Sequence, residues 1–135
     1  MKHLLLLAFP LLLSVLSYSQ TIRAGNYTTI GSISSDGTIR NSSYKTVGYI
    51  KSDGTIRDGS YKSIGYLDDD GTVKNSGYST VGYIKKDGTV QNSSYSTIGY
   101  VKDDGTVRNS SYSTIGHTSG VKKEWAAIVF FFFEL

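Results

Sequence analysis

The sequence predicts an all-β protein, built as a closed ring of five 17-residue β-hairpin repeats with a short apolar C-terminal plug segment. Three observations lead to this fold class. The unit YKTVGYIKSDGTIRDGS, which begins at Tyr44, recurs with small changes from residues 27, 61, 78 and 95. Every copy carries a central Asp-Gly pair, and half-copies flank the five full ones. A period this strict decides the architecture before any local pattern does.

Each copy is typical of two short strands, because β-branched residues and tyrosine dominate on both sides of the Asp-Gly pair. The loop at residues 52–54 predicts a three-residue connection, a type I turn followed by glycine in the left-handed region. This loop places Ile50 and Ile56 on one face of the hairpin. The other connection, at residues 58–60 and its equivalents, uses small side chains that hydrogen-bond to nearby backbone.

One spacing departs from strict alternation. Val47 and Ile50 are three residues apart, with the repeat glycine Gly48 between them. A β-bulge at this glycine adds one residue and returns both aliphatic side chains to one core, which is the favoured interpretation. The alternative places Val47 and Tyr49 on one side of the hairpin and Ile50 on the other.

The two half-copies predict that the ring closes. Residues 21–26 align with the second half of a copy, and residues 112–117 align with the first half. Pairing of the first strand with the last leaves no long free edge. A β-solenoid with one turn per repeat is the alternative fold, although it requires an open, capped stack.

The ends of the chain differ from the repeat domain, which we place at residues 20–120. Residues 1–19 combine Lys2, a leucine-rich run and small residues, as in a secretory signal peptide, so we expect export and no transmembrane span after cleavage. The segment at residues 121–135 contains Trp125 and four consecutive phenylalanines, which cannot all share one face. We expect it to pack in or under the ring as a plug.

Composition argues against several functions. The formal net charge is +3, one unit of which comes from Lys2, and this is too small for a nucleic-acid partner. The chain has no cysteine, so repeat packing must stabilise the fold without disulfides. Beyond residue 19 the only histidine is His117, and no G-x-S-x-G motif occurs, so we expect no enzyme, no catalytic residue and no cofactor. The aspartates, including residues 68–70, are typical of turns and lack the calcium-loop spacing, so we expect no metal site.

The tyrosines form two columns. Six begin a unit, and their regular position favours a packing role. Four follow the repeat glycine and stand near charged side chains, where an apolar ring with a polar tip suits ligand binding. The candidate ligand-binding residues are Tyr49, Tyr66, Tyr83, Tyr100, Lys51, Lys85 and Lys102. For the lysines the alternative is an ordinary solvated strand face.

The five units with their repeated GYIKxDGTIRNSS core resemble the five-fold beta-flower proteins, small exported bacterial proteins in which hairpin petals surround an axis. The resemblance covers residues 21–135, and the first unit departs from it at Ser32, where four later units have tyrosine. It implies the fold and export, and it carries no assigned activity or site residues.

We therefore expect an exported, monomeric, non-enzymatic protein. Its repeated surface favours a multivalent binding module for extracellular or cell-surface ligands such as glycans. The alternative function is a purely structural component of an envelope or matrix.

Overall fold

The structure, a computed structural model, describes residues 20–133, and the predicted signal peptide at residues 1–19 lies outside the described residues. Within this part, twelve short strands are joined by tight turns. The strands are β1 (Thr21–Ala24), β2 (Thr29–Ile33), β3 (Thr38–Asn41), β4 (Thr46–Ile50), β5 (Thr55–Asp58), β6 (Ser63–Leu67), β7 (Thr72–Asn75), β8 (Thr80–Ile84), β9 (Thr89–Asn92), β10 (Thr97–Val101), β11 (Thr106–Asn109) and β12 (Thr114–Ser119).

The strands form one closed antiparallel sheet in which each strand pairs with the next along the chain. The ring is closed by β1 and β12, with Ile22 opposite Thr118 and Arg23 opposite His117. The two half-copies therefore complete a sixth unit beside the five continuous ones. The predicted closed ring is confirmed, and the open solenoid is wrong because it would leave β1 and β12 unpaired.

The Asp-Gly turns have the predicted geometry. The Gly54 N–H donates to the Lys51 carbonyl at 2.9 Å, and Gly54 has a φ of 91°. The Asp53 carboxylate accepts a hydrogen bond from the Thr55 N–H at 2.9 Å, which holds the turn together. Ile50 lies opposite Ile56, as expected for this loop length.

The predicted β-bulge is also confirmed. Ile39 pairs with Gly48 and Arg40 pairs with Thr46, so Val47 is an extra residue on β4. Val47 packs against the core while Ile50 is fully buried, which rules out the alternative with the two side chains on opposite sides. The same shift recurs at all six unit-to-unit connections.

Each strand contributes one side chain to an inner belt near the Asp-Gly turns. Ten of these are buried aliphatics, Leu67 is half-buried, and Thr118 is the polar member. The Thr118 hydroxyl donates to the Gly105 carbonyl at 3.2 Å, which satisfies its hydrogen-bonding group inside the ring. The buried aliphatic members are Ile22, Ile33, Ile39, Ile50, Ile56, Val73, Ile84, Val90, Val101 and Val107.

The C-terminal segment fills the centre of the ring. Helix α1 (Lys123–Ala127) continues into a π-helical segment (Ile128–Phe132). Ala126, Ala127 and Ile128 are fully buried in the same cluster as the belt aliphatics. Two alanines fit here because the surrounding wall already carries branched side chains.

The phenylalanines, unlike the two alanines, face a part of the ring wall that consists of the repeat glycines and therefore leaves room for large side chains. The ring of Phe130 lies against Gly116, and successive phenylalanines then contact the glycines of successive units: Phe131 with Gly99, Phe132 with Gly82 and Phe133 with Gly65. A methyl group on any of these four glycines would overlap the phenylalanine ring. Each of the four consecutive phenylalanines therefore contacts a different unit of the ring.

The π-helical geometry favours this register over an α-helical one. An α-helix advances by more than a quarter of a turn per residue. A π-helix is wider, because its hydrogen bonds span five residues, and so it advances less. The Phe133 N–H donates to the Ile128 carbonyl at 3.2 Å, which is such a bond. The smaller step is closer to the sixth of a turn that separates neighbouring units.

Candidate ligand-binding surface

The six tyrosines that begin the units, here called the unit-start tyrosines, all have a positive φ of 64° to 69°. Each is the third residue of a connection such as Ser42-Ser43-Tyr44. The Tyr44 N–H donates to the Asn41 carbonyl at 3.0 Å, the same bond that glycine makes in the Asp-Gly turns. The unit-start tyrosines are Tyr27, Tyr44, Tyr61, Tyr78, Tyr95 and Tyr112.

Tyrosine is an uncommon choice for this backbone conformation. A residue with a Cβ is strained in the left-handed region by about 1–2 kcal/mol, whereas glycine is not. The Asp-Gly turns of the same chain use glycine at the equivalent position. Six strained tyrosines at one rim of the ring therefore need a reason other than turn formation.

Burial does not supply that reason. The unit-start tyrosines are 46% to 82% exposed, with Tyr44 the most exposed. The packing role that their regular position predicts therefore does not lie in the buried core. The signal that sequence reasoning missed is the spacing: Asn-Ser-Ser-Tyr has the same length as Lys-Ser-Asp-Gly, so tyrosine and glycine occupy the same turn position.

The four predicted site tyrosines, here called the strand tyrosines, lie half-buried on the outer face of the ring. Each contacts the unit-start tyrosine of the following unit. Two pairs are stacked, with centroid distances of 4.4 Å for Tyr66–Tyr78 and 4.6 Å for Tyr83–Tyr95. Two are edge-on, at 5.0 Å for Tyr49–Tyr61 and 5.2 Å for Tyr100–Tyr112. The structure thus joins the two columns into one aromatic surface.

Two units depart from this pattern. At the closing seam, His117 replaces the strand tyrosine and stacks on Tyr27 with a centroid distance of 3.9 Å. In the first unit Ser32 stands at this position, and Tyr44 has no aromatic partner among the described residues.

The predicted site lysines have unequal surroundings. The Lys51 ammonium lies 5.2 Å from the centroid of the Tyr61 ring. The Lys102 ammonium donates to the Tyr112 hydroxyl at 2.8 Å. Lys85 is exposed and lines a shallow depression that includes Tyr83 and Tyr95. All three lie beside an aromatic pair, and two of them make contacts with a unit-start tyrosine.

Two of the aromatic pairs are also contacted by an arginine that was not among the predicted site residues. The Arg57 guanidinium lies 4.4 Å from the Tyr61 ring centroid, and Arg108 lies 4.4 Å from the Tyr112 ring centroid. Each arginine also donates through Nη1 to the backbone carbonyl of the same tyrosine, at 2.9 Å and 3.1 Å. Arg57 faces Tyr49 across the β4–β5 pair, which is the register relation that brings the three side chains together.

These cations change the acidity of the tyrosines they contact. Hydrogen bonding to Lys51 lowers the pKa of the Tyr61 hydroxyl below its usual value, and Lys102 does the same to the pKa of Tyr112. A nearby ammonium stabilises the phenolate, which explains the direction.

The stacked pairs behave in the opposite way. Hydrogen bonding with Tyr66 raises the pKa of Tyr78, and hydrogen bonding with Tyr95 raises the pKa of Tyr83. The aromatic surface therefore has two chemical environments, one cationic and one neutral.

The turn aspartates have structural roles. The Thr55 N–H lowers the pKa of Asp53 by stabilising its carboxylate, and the four equivalent turns show the same shift. Among residues 20–133, no three His, Cys, Asp or Glu side chains are grouped so as to hold a metal ion.

The fold and this surface define a class of protein: a closed ring of repeated β-hairpins with a helical plug and an aromatic exterior. The sequence model of the family described as 5-fold beta-flower protein matches residues 19–134. The chain belongs to that family, as its repeat motif predicts. No curated protein and no solved structure gives a significant match to the chain. In the part of the chain that the structure describes, no helix is long and apolar enough to cross a membrane.

Proposed function

We propose that this protein is an exported, non-enzymatic binding module that recognises extracellular or cell-surface glycans through its ring of tyrosines. The observation that carries the proposal is the set of six exposed tyrosines in a backbone conformation that favours glycine. Strain of this kind persists where the side chain contributes something else.

The chemistry of tyrosine supports a glycan ligand. Its ring offers an apolar face, and its hydroxyl offers a hydrogen-bond donor and acceptor. A sugar ring presents the matching groups, C–H bonds on one face and hydroxyls around the rim. The aromatic pairs on the outer face of the ring offer such platforms repeatedly, with centroid distances of 3.9 Å to 5.2 Å within each pair.

Repetition compensates for weak individual contacts. Once one unit holds a polymer, the next units meet further sugars at a high effective concentration. The protein acts as a monomer in this proposal, because β1 and β12 pair with each other and leave no strand edge for another copy.

The test is a glycan array probed with the parent protein and a variant in which all six unit-start tyrosines become glycine. Glycine accepts the positive φ, so the fold should be retained. The control variant replaces exposed serines in the same connections by alanine: Ser43, Ser60, Ser94 and Ser111.

We expect the parent and the serine control to bind the same saccharides, and the tyrosine variant to lose them while it remains folded at the assay temperature. If the folded tyrosine variant still binds these saccharides, the glycan-binding site does not consist of the unit-start tyrosines. Absence of any saccharide ligand for the parent would favour the structural role in an envelope or matrix. Intact mass of secreted material tests export, since we expect residues 1–19 to be removed.

A further inference from the structure

Two of the five aromatic pairs carry two cations each. One consists of Lys51, Arg57, Tyr49 and Tyr61. The other consists of Lys102, Arg108, Tyr100 and Tyr112. We call them the first and the second cationic cluster.

Among residues 20–133, none of the four cations of these clusters forms a salt bridge. Among the described residues the ion pairs are Lys74–Asp68 and Lys123–Asp103, and neither involves a cationic cluster. The turn carboxylates Asp53 and Asp104 attract these cations at longer range, and each also accepts a hydrogen bond within its own turn.

The arginines are also incompletely satisfied. Nε of Arg57 and Nε of Arg108 are shielded from solvent and have no hydrogen-bond partner. Nη1 of each arginine is committed to a tyrosine carbonyl. The guanidinium is thus held in place by backbone and ring contacts, and among the described residues it has no carboxylate within salt-bridge distance.

The other units lack this combination. In the third unit, Lys74 is neutralised by Asp68 at 3.2 Å. In the fourth, Gln91 occupies the arginine position opposite Tyr83. In the first, Arg40 donates to the Ser34 hydroxyl at 3.0 Å, in the unit without a strand tyrosine. The pairing of lysine with arginine beside two tyrosines therefore belongs to two units alone among those described.

The positions of these two units around the ring are informative. Residues 57 and 108 are separated by three 17-residue units, and the closed sheet contains six. Three units of six are half of the ring, so the two cationic clusters lie on opposite sides of the molecule.

We propose that each cationic cluster binds a carboxylate-bearing polysaccharide, and that the protein thereby links two acidic chains, one on each side. This inference rests on the proposed glycan function and names the ligand class and its valence. The tyrosine rings contact the sugar rings, while the ammonium and guanidinium groups attract and hydrogen-bond the carboxylates. Because the clusters face away from each other, one short chain segment does not fill both.

The probe is polygalacturonate, a uronic acid polymer, with its methyl ester as the uncharged counterpart. Titration calorimetry measures the affinity and the number of oligomer segments bound, and light scattering measures cross-linking of the long polymer. We expect two segments per protein, weaker binding at higher salt, and no comparable binding of the ester.

Three variants locate the site. Lys51→Gln with Arg57→Gln removes the first cationic cluster, and adding the equivalent changes at Lys102 and Arg108 removes both. A control with Lys45→Gln and Lys62→Gln removes the same charge as the first variant from exposed positions next to unit-start tyrosines. Melting temperatures identify any variant that does not fold. The comparison of polygalacturonate with its methyl ester uses the parent protein alone, so it tests the inference even if a variant does not fold.

The one-cluster variant should bind one segment with unchanged affinity and lose cross-linking, whereas the control should match the parent. The two-cluster variant should bind about tenfold more weakly or worse, as loss of charged hydrogen bonds implies. Equal weakening by the control, or equal binding of acid and ester, would overturn the inference while leaving glycan binding intact. If neither polygalacturonate nor its methyl ester binds but the glycan array is positive, the inference is overturned in the same way and glycan binding stands. A negative array as well would overturn the proposed function itself.

Discussion

The strain in the unit-start connections can be tested at one residue, Tyr44, by replacement with glycine. Tyr44 has a φ of 64° and is 82% exposed, and Ser32 stands where other units provide a stacking tyrosine. Its side chain therefore contributes little packing that a mutation would remove. In the turn at residues 51–55 glycine already adopts the equivalent conformation.

The expected change is a modest stabilisation. Relief of left-handed strain is worth about 1–2 kcal/mol. Glycine also lowers the free energy of unfolding by about 0.4–1 kcal/mol, because it makes the unfolded chain more flexible. The net gain in the free energy of unfolding is on the order of 0.5–1 kcal/mol, a rise in Tm of roughly 2–4 °C for a chain of this size.

Thermal and urea unfolding of the parent, Tyr44→Gly and Tyr44→Ala provide the measurement. Alanine removes the same ring but keeps a Cβ, so it should be less stable than glycine by about 1 kcal/mol. Tyr61→Gly serves as a contrast, since it also loses contacts with Arg57 and Tyr49 and should not be stabilised. If Tyr44→Gly is no more stable than Tyr44→Ala, strain is absent and the argument for a functional role loses its basis.

Three further outcomes follow from the structure. Phe131→Ala should lower the free energy of unfolding by about 2–3 kcal/mol and increase binding of an apolar dye, because the ring fills the space beside Gly99; an unchanged Tm would mean that the plug does not support the ring. In an alkaline titration followed by phenolate absorbance, Tyr61 and Tyr112 should ionise first, and changing both to phenylalanine should remove that early phase. The five turn aspartates stabilise the fold above their unfolded pKa of about 3.9, and this contribution should be lost as the pH falls through their lower folded pKa values. Replacing all five with asparagine, which accepts the same bond at Asn41, should flatten the acid limb of the Tm profile; an unaltered profile would refute this account of Asp36, Asp53, Asp70, Asp87 and Asp104.

Sequence reasoning predicted those parts of the fold that depend on local chemistry. The Asp-Gly turns follow from glycine at the left-handed position and an aspartate that accepts the Thr55 N–H. The bulge at Gly48 follows from a spacing of three between two aliphatic residues. Closure of the ring follows from the two half-copies, because the strand of one supplies the hydrogen-bonding partners of the other. In each case a short stretch of sequence has one low-energy arrangement.

The missed features depend on contacts between distant residues. Nothing local in four consecutive phenylalanines indicates that Phe130 meets Gly116 and Phe131 meets Gly99, because this register requires the diameter of the closed ring. The arginine contribution to the site was missed for a similar reason. Arg57 alternates with core positions as a solvated side chain does, and only the cross-strand register places it on Tyr61.

The packing of the ring centre bears directly on where a ligand can bind. Ala126, Ala127 and Ile128 are fully buried inside the belt of aliphatic side chains, and the phenylalanines cover the repeat glycines above it. Within residues 20–133 the plug fills the ring at the level of the belt, so the tyrosine surface proposed as the binding site is reached from the outer face. The outer face carries the tyrosine pairs, which are held by strands that pack against the plug. Loosening the plug should therefore weaken ligand binding only through unfolding, with affinity and Tm falling together. Changes at Arg57 or Tyr61 should instead reduce the number of acidic segments bound at temperatures where the ring remains folded.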